Sequence, residues 1–311
     1  MNALHRLKPF FLGICLTLAA CGGGGDDTTQ AVTYSGAITR ATVSSTNAKA
    51  LSVDAYEGGQ VGSSLGVLGV ATESSPTATE TARLQRLGTT LTGCVRRVVS
   101  APSATGGATL TGASVQNDVT GAYGGSMHYT INADESTGAF SGTMTFSSFR
   151  DTASSGSMTG SVSFTGVLNL STRNFSQFNV TISSLAVTES GQTYTAGGTL
   201  SLKVSGSTET MTMSLVLQES ATGYSCWAKD YTYTLSSGTL TLSGTYYDSV
   251  HGYVTVTTLT PLTVATADAW PTAGQLLFTG ASGTKARLTF TATSYTVEVD
   301  QYATGVYVVV P

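Results

Sequence analysis

The stretch Thr210-Met-Thr-Met-Ser-Leu-Val-Leu217 alternates hydroxyl and apolar side chains. In an extended chain this puts Met211, Met213, Leu215 and Leu217 on one face and Thr210, Thr212 and Ser214 on the other, the pattern of a half-buried antiparallel strand. Working outward, the pattern recurs in Gly142-Thr-Met-Thr-Phe146, Gly160-Ser-Val-Ser-Phe-Thr-Gly-Val-Leu-Asn-Leu170, Gly198-Thr-Leu-Ser-Leu-Lys-Val204 and Gly238-Thr-Leu-Thr-Leu242. Turn-forming clusters at 134–138, 189–192, 205–208, 236–238 and 279–283 separate such stretches and fit hairpin loops. From about Leu91 onward the chain reads as roughly fourteen to seventeen strands on short connections, which favours a meander over crossovers. A sheet of that size must close, curl or cover its edges. The expected fold is all-β: an antiparallel meander forming a soluble barrel or a strongly curled sheet, with one or two short N-terminal helices packed on it.

The N-terminal part reads differently. Residues 31–43 alternate and carry β-branched side chains, predicting a first strand. Ser45-Thr46-Asn47 can cap a short helix running from Ala48 toward Glu57, with Gly58-Gly59 as its stop. A second helix is predicted from Ser75-Pro76 through Leu87, ending before Gly88. Residues 58–72 between them, rich in glycine, read as a loop or a loosely packed strand. The Gly-Thr strand starts at Gly142, Gly198 and Gly238 have no fixed period, so a solenoid is disfavoured. No calcium-loop pattern occurs. The Ser/Thr faces lack the aromatic girdles of a transmembrane barrel.

Composition narrows the function. Gly, Ser and Thr supply 36, 38 and 54 of the 311 residues, while charged residues make up 10%, against an ordinary share of about 25%. Hydroxyls and backbone, not ions, keep such a surface wet. With 14 basic and 18 acidic residues there is no basic surface for nucleic acid. Apolar residues at 41%, with 14 Tyr and 10 Phe, still provide a core.

The first twenty residues give the address. His5, Arg6 and Lys8 precede an apolar run from Pro9 to Ala20 that is shorter than the ~20 residues a membrane span needs, so 1–20 reads as a secretory signal. It ends in Leu18-Ala19-Ala20-Cys21, which resembles the lipobox of bacterial lipoproteins. The resemblance implies cleavage before Cys21, a diacylglyceryl group on its thiol and an acylated amino terminus. The alternative is an ordinary secreted protein cut near Ala20. Gly22, where lipoproteins retained in the inner membrane tend to carry Asp, implies export to the outer membrane. Residues 21–30 then form a lipidated, glycine-rich tether, and 31–311 a single β-rich domain whose mixed part is 31–90. Loss of Arg6 and Lys8 leaves 12 basic against 18 acidic residues.

Beyond Cys15 in the signal and Cys21, the body keeps Cys94 and Cys226. In an oxidising envelope this pair reads as a disulfide closing a loop of more than 130 residues, for which the entropy model gives about 4–5 kcal/mol. The alternative is two buried thiols. No Cys-x-x-Cys occurs and only His128 and His251 remain, so no metal or other cofactor is expected.

Catalytic constellations are weak. Gly62-Ser63-Ser64-Leu65-Gly66 matches a nucleophile elbow, but a Gly- and Ser-rich chain produces such a match by composition, and no α/β pattern surrounds it. A triad would need His128 or His251 with an acid such as Asp248. His251 reads as a hairpin-loop residue and His128 as a paired strand residue. Asp134-Glu135 reads as a solvated turn, and Glu298 with Asp300 as an exposed strand face. Trp270 reads as a loop anchor. The sequons at Asn169, Asn174 and Asn179 carry little weight in a bacterial lipoprotein.

The densest chemistry is aromatic: Tyr224, Trp227, Tyr231, Tyr233, Tyr246 and Tyr253 are the candidate ligand-binding set, as a stacking platform or pocket wall, with core packing as the competing reading. Tyr231 and Tyr233 share a face. The expectation is a non-enzymatic outer-membrane lipoprotein, anchored in the membrane by its lipid. Its β body would contact a surface, a polysaccharide or an envelope protein, or play a structural role. The alternative is a carrier holding a lipid or other apolar ligand in a barrel cavity.

Overall fold

A computed structural model of the chain describes residues 31–59, 80–100, 111–153, 155–172, 174–264 and 271–311. The signal, the lipobox Cys21, the Ser75-Pro76 helix start, the Gly62 to Gly66 motif and Trp270 lie outside the described residues. Two helices, α1 (Ala48–Gly59) and α2 (Glu80–Ser100), precede fourteen strands. These are β1 (Thr111–Thr120), β2 (Ser126–Asp134), β3 (Ala139–Phe149), β4 (Ser157–Leu168), β5 (Phe175–Glu189), β6 (Gln192–Ser205) and β7 (Thr208–Glu219). They continue as β8 (Ser225–Ser236), β9 (Thr239–Asp248), β10 (Gly252–Thr263), β11 (Ala273–Thr279), β12 (Lys285–Phe290), β13 (Tyr295–Asp300) and β14 (Val308–Val310).

All fourteen form one antiparallel sheet in sequence order, the predicted meander. β1 pairs with β2 and β14 with β13, and among the described residues the two edge strands do not meet, so the sheet is open. It curls nonetheless. Tyr231 Oη of β8 donates to Ala55 O at 3.0 Å, while the ring of the next residue, Tyr56, lies 4.7 Å from Phe290 of β12. Four strand spacings on a flat sheet would separate β8 from β12 by about 19 Å. Adjacent residues of one helix reach both because the sheet wraps around α1.

The helices fill the concave face. Asn47 ends the turn into α1: its Oδ1 accepts from Ser44 N at 2.8 Å and its carbonyl accepts from Leu51 N at 2.9 Å. The second helix does not stop before Gly88, and residues 91–100 are helical, not strand. Leu87, Leu91, Cys94, Val95 and Val98 make an apolar stripe at helical spacing and are all buried. That burial outweighs a mid-helix glycine, which costs about 1 kcal/mol. Leu87 and Leu91 meet Val180, Ile182, Leu200 and Leu215 of β5 to β7, leaving a void of only about 10 Å³.

Several strands carry an extra residue, and in β5 and β8 these bulges decide which side chains face inward. In β5, Phe178, Val180 and Ile182 point in, but Leu185 and Val187 do so beyond the extra residue at 183–184. In β8 the extra residue lies at 229–230, where Asp230 has φ +52°. Cys226 and Ala228 face in before it, Tyr231, Tyr233 and Leu235 after it.

The predicted first strand is not one. Residues 31–43 cross the strands instead of lying along one, with one parallel bridge, from Arg40 to Tyr253, and scattered backbone bonds. Val32 N donates to Ser183 O, the carbonyl the β5 bulge displaces, at 3.4 Å. Ala37 N donates to Ser249 O at 3.1 Å, and Ala41 N to Tyr253 O at 2.8 Å. Ala41 O accepts from Ala281 N at 2.7 Å, so 39–41 are held between β10 and the β11–β12 connection. The strap passes there from the outer face to the interior, where Ala41 and Val43 are buried and α1 begins. Gly252 permits the crossing: its φ is +92°, and a Cβ there would lie 2.2 Å from Thr39 O.

Candidate functional site

The six aromatic candidates do not form one site. Tyr231, Tyr233 and Tyr246 face the core and are buried, and Tyr231 and Tyr246 expose nothing. Burial pushes all three phenols above their ordinary range. Tyr224 sits half-buried at the start of β8 and donates to Asp248 Oδ2 at 2.5 Å. Trp227 and Tyr253 stand on the outer face. Plain alternation would put Trp227 with Tyr231 and Tyr233; the extra residue at 229–230 separates them.

On the outer face Trp227 is joined by Tyr247 and by Tyr34 of the strap, neither of them in the six-residue candidate set. Trp227 pairs directly with Tyr247, and Tyr247 with Tyr253, in the strand registers. Their centroids follow at 5.0 Å steps, with Trp227 and Tyr247 stacked at 28°. Tyr34 closes on the pair at 6.1 Å from Trp227 and 5.5 Å from Tyr247. Lys229 Nζ lies 4.8 Å over Trp227, and the Arg40 guanidinium 5.7 Å over Tyr253. Trp227 Nε1 donates to Ser214 Oγ at 3.3 Å. The rings therefore spend their faces on one another and on two cations, and the indole N–H on a neighbouring strand. Packed in this way, the rings clamp the strap.

The catalytic candidates are likewise structural where described. Asp248 is buried and accepts from Val250 N (2.9 Å) and His251 N (2.7 Å), so it caps the β9–β10 turn that holds His251. His128 pairs through Nδ1 with Asp118 across β1 and β2 at 2.8 Å, as a paired strand residue should. Asp134 accepts from the backbone and hydroxyl of Ser136, and these bonds hold its carboxyl down at about 2. Glu298 pairs with Arg287 at 3.0 Å. Asp300 corrects the expectation of an exposed face: it is buried and accepts from Thr304 N and Gly305 N. Burial pushes this carboxyl up, but those bonds outweigh it and leave it below its ordinary value. Among the described residues no group of three His, Cys, Asp or Glu could hold a metal ion.

The predicted disulfide is absent: Cys94 and Cys226 are both buried thiols. Cys94, on the inner stripe of α2, has Asp151 and Arg97 as charged neighbours, whereas Cys226 lies by Tyr224, Tyr231 and Tyr246 on β8. The two thiols sit on different elements, Cys94 on α2 and Cys226 on β8.

A roomier site lies elsewhere. In a meander, alternate connections fall at the same rim, so the β4–β5, β6–β7 and β8–β9 loops come together. They frame an open groove of about 540 Å³. Asn169, Asn174, Ser207, Glu209 and Ser237 provide its amides, hydroxyls and carboxylate, and Phe175 and Leu235 its apolar floor. Asn169 Oδ1 accepts from Ser171 N and Thr172 N, fixing the β4–β5 loop. A smaller groove of about 280 Å³ beside it is lined by Asp134, Glu135, Phe140 and Leu170. The hairpin pattern contained the signal for this site; what alternation alone omits is that every second loop shares a rim. Among the described residues no helix is long and apolar enough to cross a membrane. No family model, curated protein or solved structure matches the chain.

Proposed function

We propose that this is a non-enzymatic lipoprotein of the bacterial outer membrane, anchored through Cys21, whose β body binds a neutral glycan of the envelope or its surroundings. The observation that carries the binding reading is the groove at the β4–β5, β6–β7 and β8–β9 rim. Its volume falls in the range of small-molecule sites. Its amides and hydroxyls suit sugar hydroxyls, and they stand over a floor of buried Phe175 and Leu235. The anchor reading rests on Leu18-Ala19-Ala20-Cys21 and on Gly22.

The carrier alternative asks for an interior void, and closure into a barrel would serve it. The packing of α2 against β5 to β7, with about 10 Å³ left over, weighs against it. Calorimetric titration with uncharged oligosaccharides of glucose, galactose and N-acetylglucosamine tests the proposal. Binding should weaken about tenfold or more in Asn174→Ala/Ser207→Ala, since each lost hydrogen bond is worth about 1 kcal/mol. Absence of heat with every oligosaccharide, or binding unchanged in the variant, counts against the groove.

A further inference from the structure

The opposite rim has the contrary chemistry. Of the large apolar side chains that stand exposed, Ile38 (73%), Val250 (71%), Tyr302 (78%) and Val306 (67%) all lie on the connections at the β9–β10 and β13–β14 end or on the strap beside them. They form a row. Ala37 N bonds to Ser249 O, Ala41 O to Ala281 N, and a Cβ on Gly283 would stand 3.1 Å from that of Ala303. The strap, the β9–β10 turn, the β11–β12 turn and the 301–307 connection are thus neighbours in one ridge.

The acids of this ridge are turned inward. Asp248 and Asp300 are buried and hold the backbone of their own turns, so the charges that anionic lipid would repel are hidden while the apolar tips project. Arg40, exposed on the strap, adds a cation. At the groove rim the balance reverses: Glu135 is exposed, and Leu170 is the large apolar side chain that stands out there, at 44%. Isolated apolar tips are ordinary on a protein surface. A row of them on one ridge, with its carboxylates withdrawn, marks an interaction surface.

Chain length leaves a bilayer within its reach. Nine residues separate Cys21 from Ala31, a reach of about 35 Å at full extension. Val32 lies at mid-strand on the outer face, by Ser183 of β5, about 23 Å of strand from the β5–β6 hairpin at the same rim. The acylated end can therefore enter a bilayer while this ridge rests on it. We infer that the ridge carrying Ile38, Val250, Tyr302 and Val306 seats in the lipid interface, directing the groove away from the membrane. This rests on the lipoprotein reading above and adds an orientation to it.

The test uses the lipidated full chain in phosphatidylethanolamine and phosphatidylglycerol vesicles containing lipids brominated along the acyl chain. A fluorophore is placed by Val250→Cys or, at the groove rim, by Leu170→Cys. Fluorescence at position 250 should be quenched several-fold more than at 170. Equal quenching at both positions, or none at 250, overturns the seating. The mass of the N-terminal peptide separates the two readings. An acylated Cys21 with an unquenched 250 removes the seating and keeps the anchor; an unacylated Cys21 removes both.

Discussion

Tyr246 and Tyr247 are neighbours in sequence and do opposite work. Tyr246 lies with Tyr231 against α1 and the core, contributing through area removed from water. Tyr247 stands outside between Trp227 and Tyr253, contributing through ring contacts that hold the strap. The same residue type on two faces of one strand serves the body in the first case and the route of the N terminus in the second. The contrast teaches that the aromatic density at 224–253 is two rows back to back, not one site.

The largest effect that can break this contrast is Tyr231→Ala, which empties a buried site and should destabilise by about 3–5 kcal/mol in urea unfolding. Tyr247→Ala, which loses only half-buried ring contacts, should cost about 0.5–1.5 kcal/mol. Equal losses would show that the two rows are not energetically distinct. Alkaline titration sharpens the same point. Burial raises the phenols of Tyr231 and Tyr246 in the folded state, so the neutral form is favoured by folding. Their contribution is complete below the unfolded value near 10 and is lost as pH rises toward the folded values. Stability should fall above pH 10 by up to about 1.4 kcal/mol per group for each pH unit. Tyr231→Phe should flatten that slope, and an unchanged slope would count against its burial.

Much of the fold was legible because the sheet obeys a period of two almost everywhere. Thr, Ser and Gly face out, and Met, Leu and Phe face in, from Gly142 to Leu242. The five hairpin clusters fall between strands as read. What alternation cannot carry is a single inserted residue: at 229–230 it moved Tyr231 to the core and left Trp227 outside. Local propensity failed where tertiary burial won, at Gly88, and where an extended segment crosses strands instead of joining them, at 31–43. The groove depended on which loops share a rim, a property of topology that no one loop contains.

The strap provides the next test of inner against outer. Gly252→Ala puts a Cβ against Thr39 O and forces φ +92° on a residue that resists it, for about 1–3 kcal/mol. The loss should appear first as release of the strap, with trypsin cleaving after Arg40 in the variant while the wild-type site survives. Cleavage at Arg40 at equal rates in both would mean that the outer row does not clamp the segment. Tyr34→Ala should act in the same direction with a smaller loss, since it removes one ring from the stack and the hydroxyl bond to Ala37 O within the strap, without adding a clash.

The smallest effect expected is none at all, and it is the most discriminating. Cys94 and Cys226 both belong to the inner set. Burial and the nearby Asp151 carboxylate push the Cys94 thiol up to about 12, with Arg97 opposing, so the reactive thiolate is scarce at ordinary pH. Cys94 and Cys226 should resist alkylation at pH 8 in the native protein and both react on unfolding, and a reductant should leave the urea midpoint unmoved. A bridge would do the reverse: one oxidised pair closing a long loop could contribute about 4–5 kcal/mol, and reductant would remove it. In an oxidising compartment two thiols stay unpaired only while something holds them apart. Here one sulfur sits on α2 and the other on β8, so a midpoint unmoved by reductant would also support the helix packing.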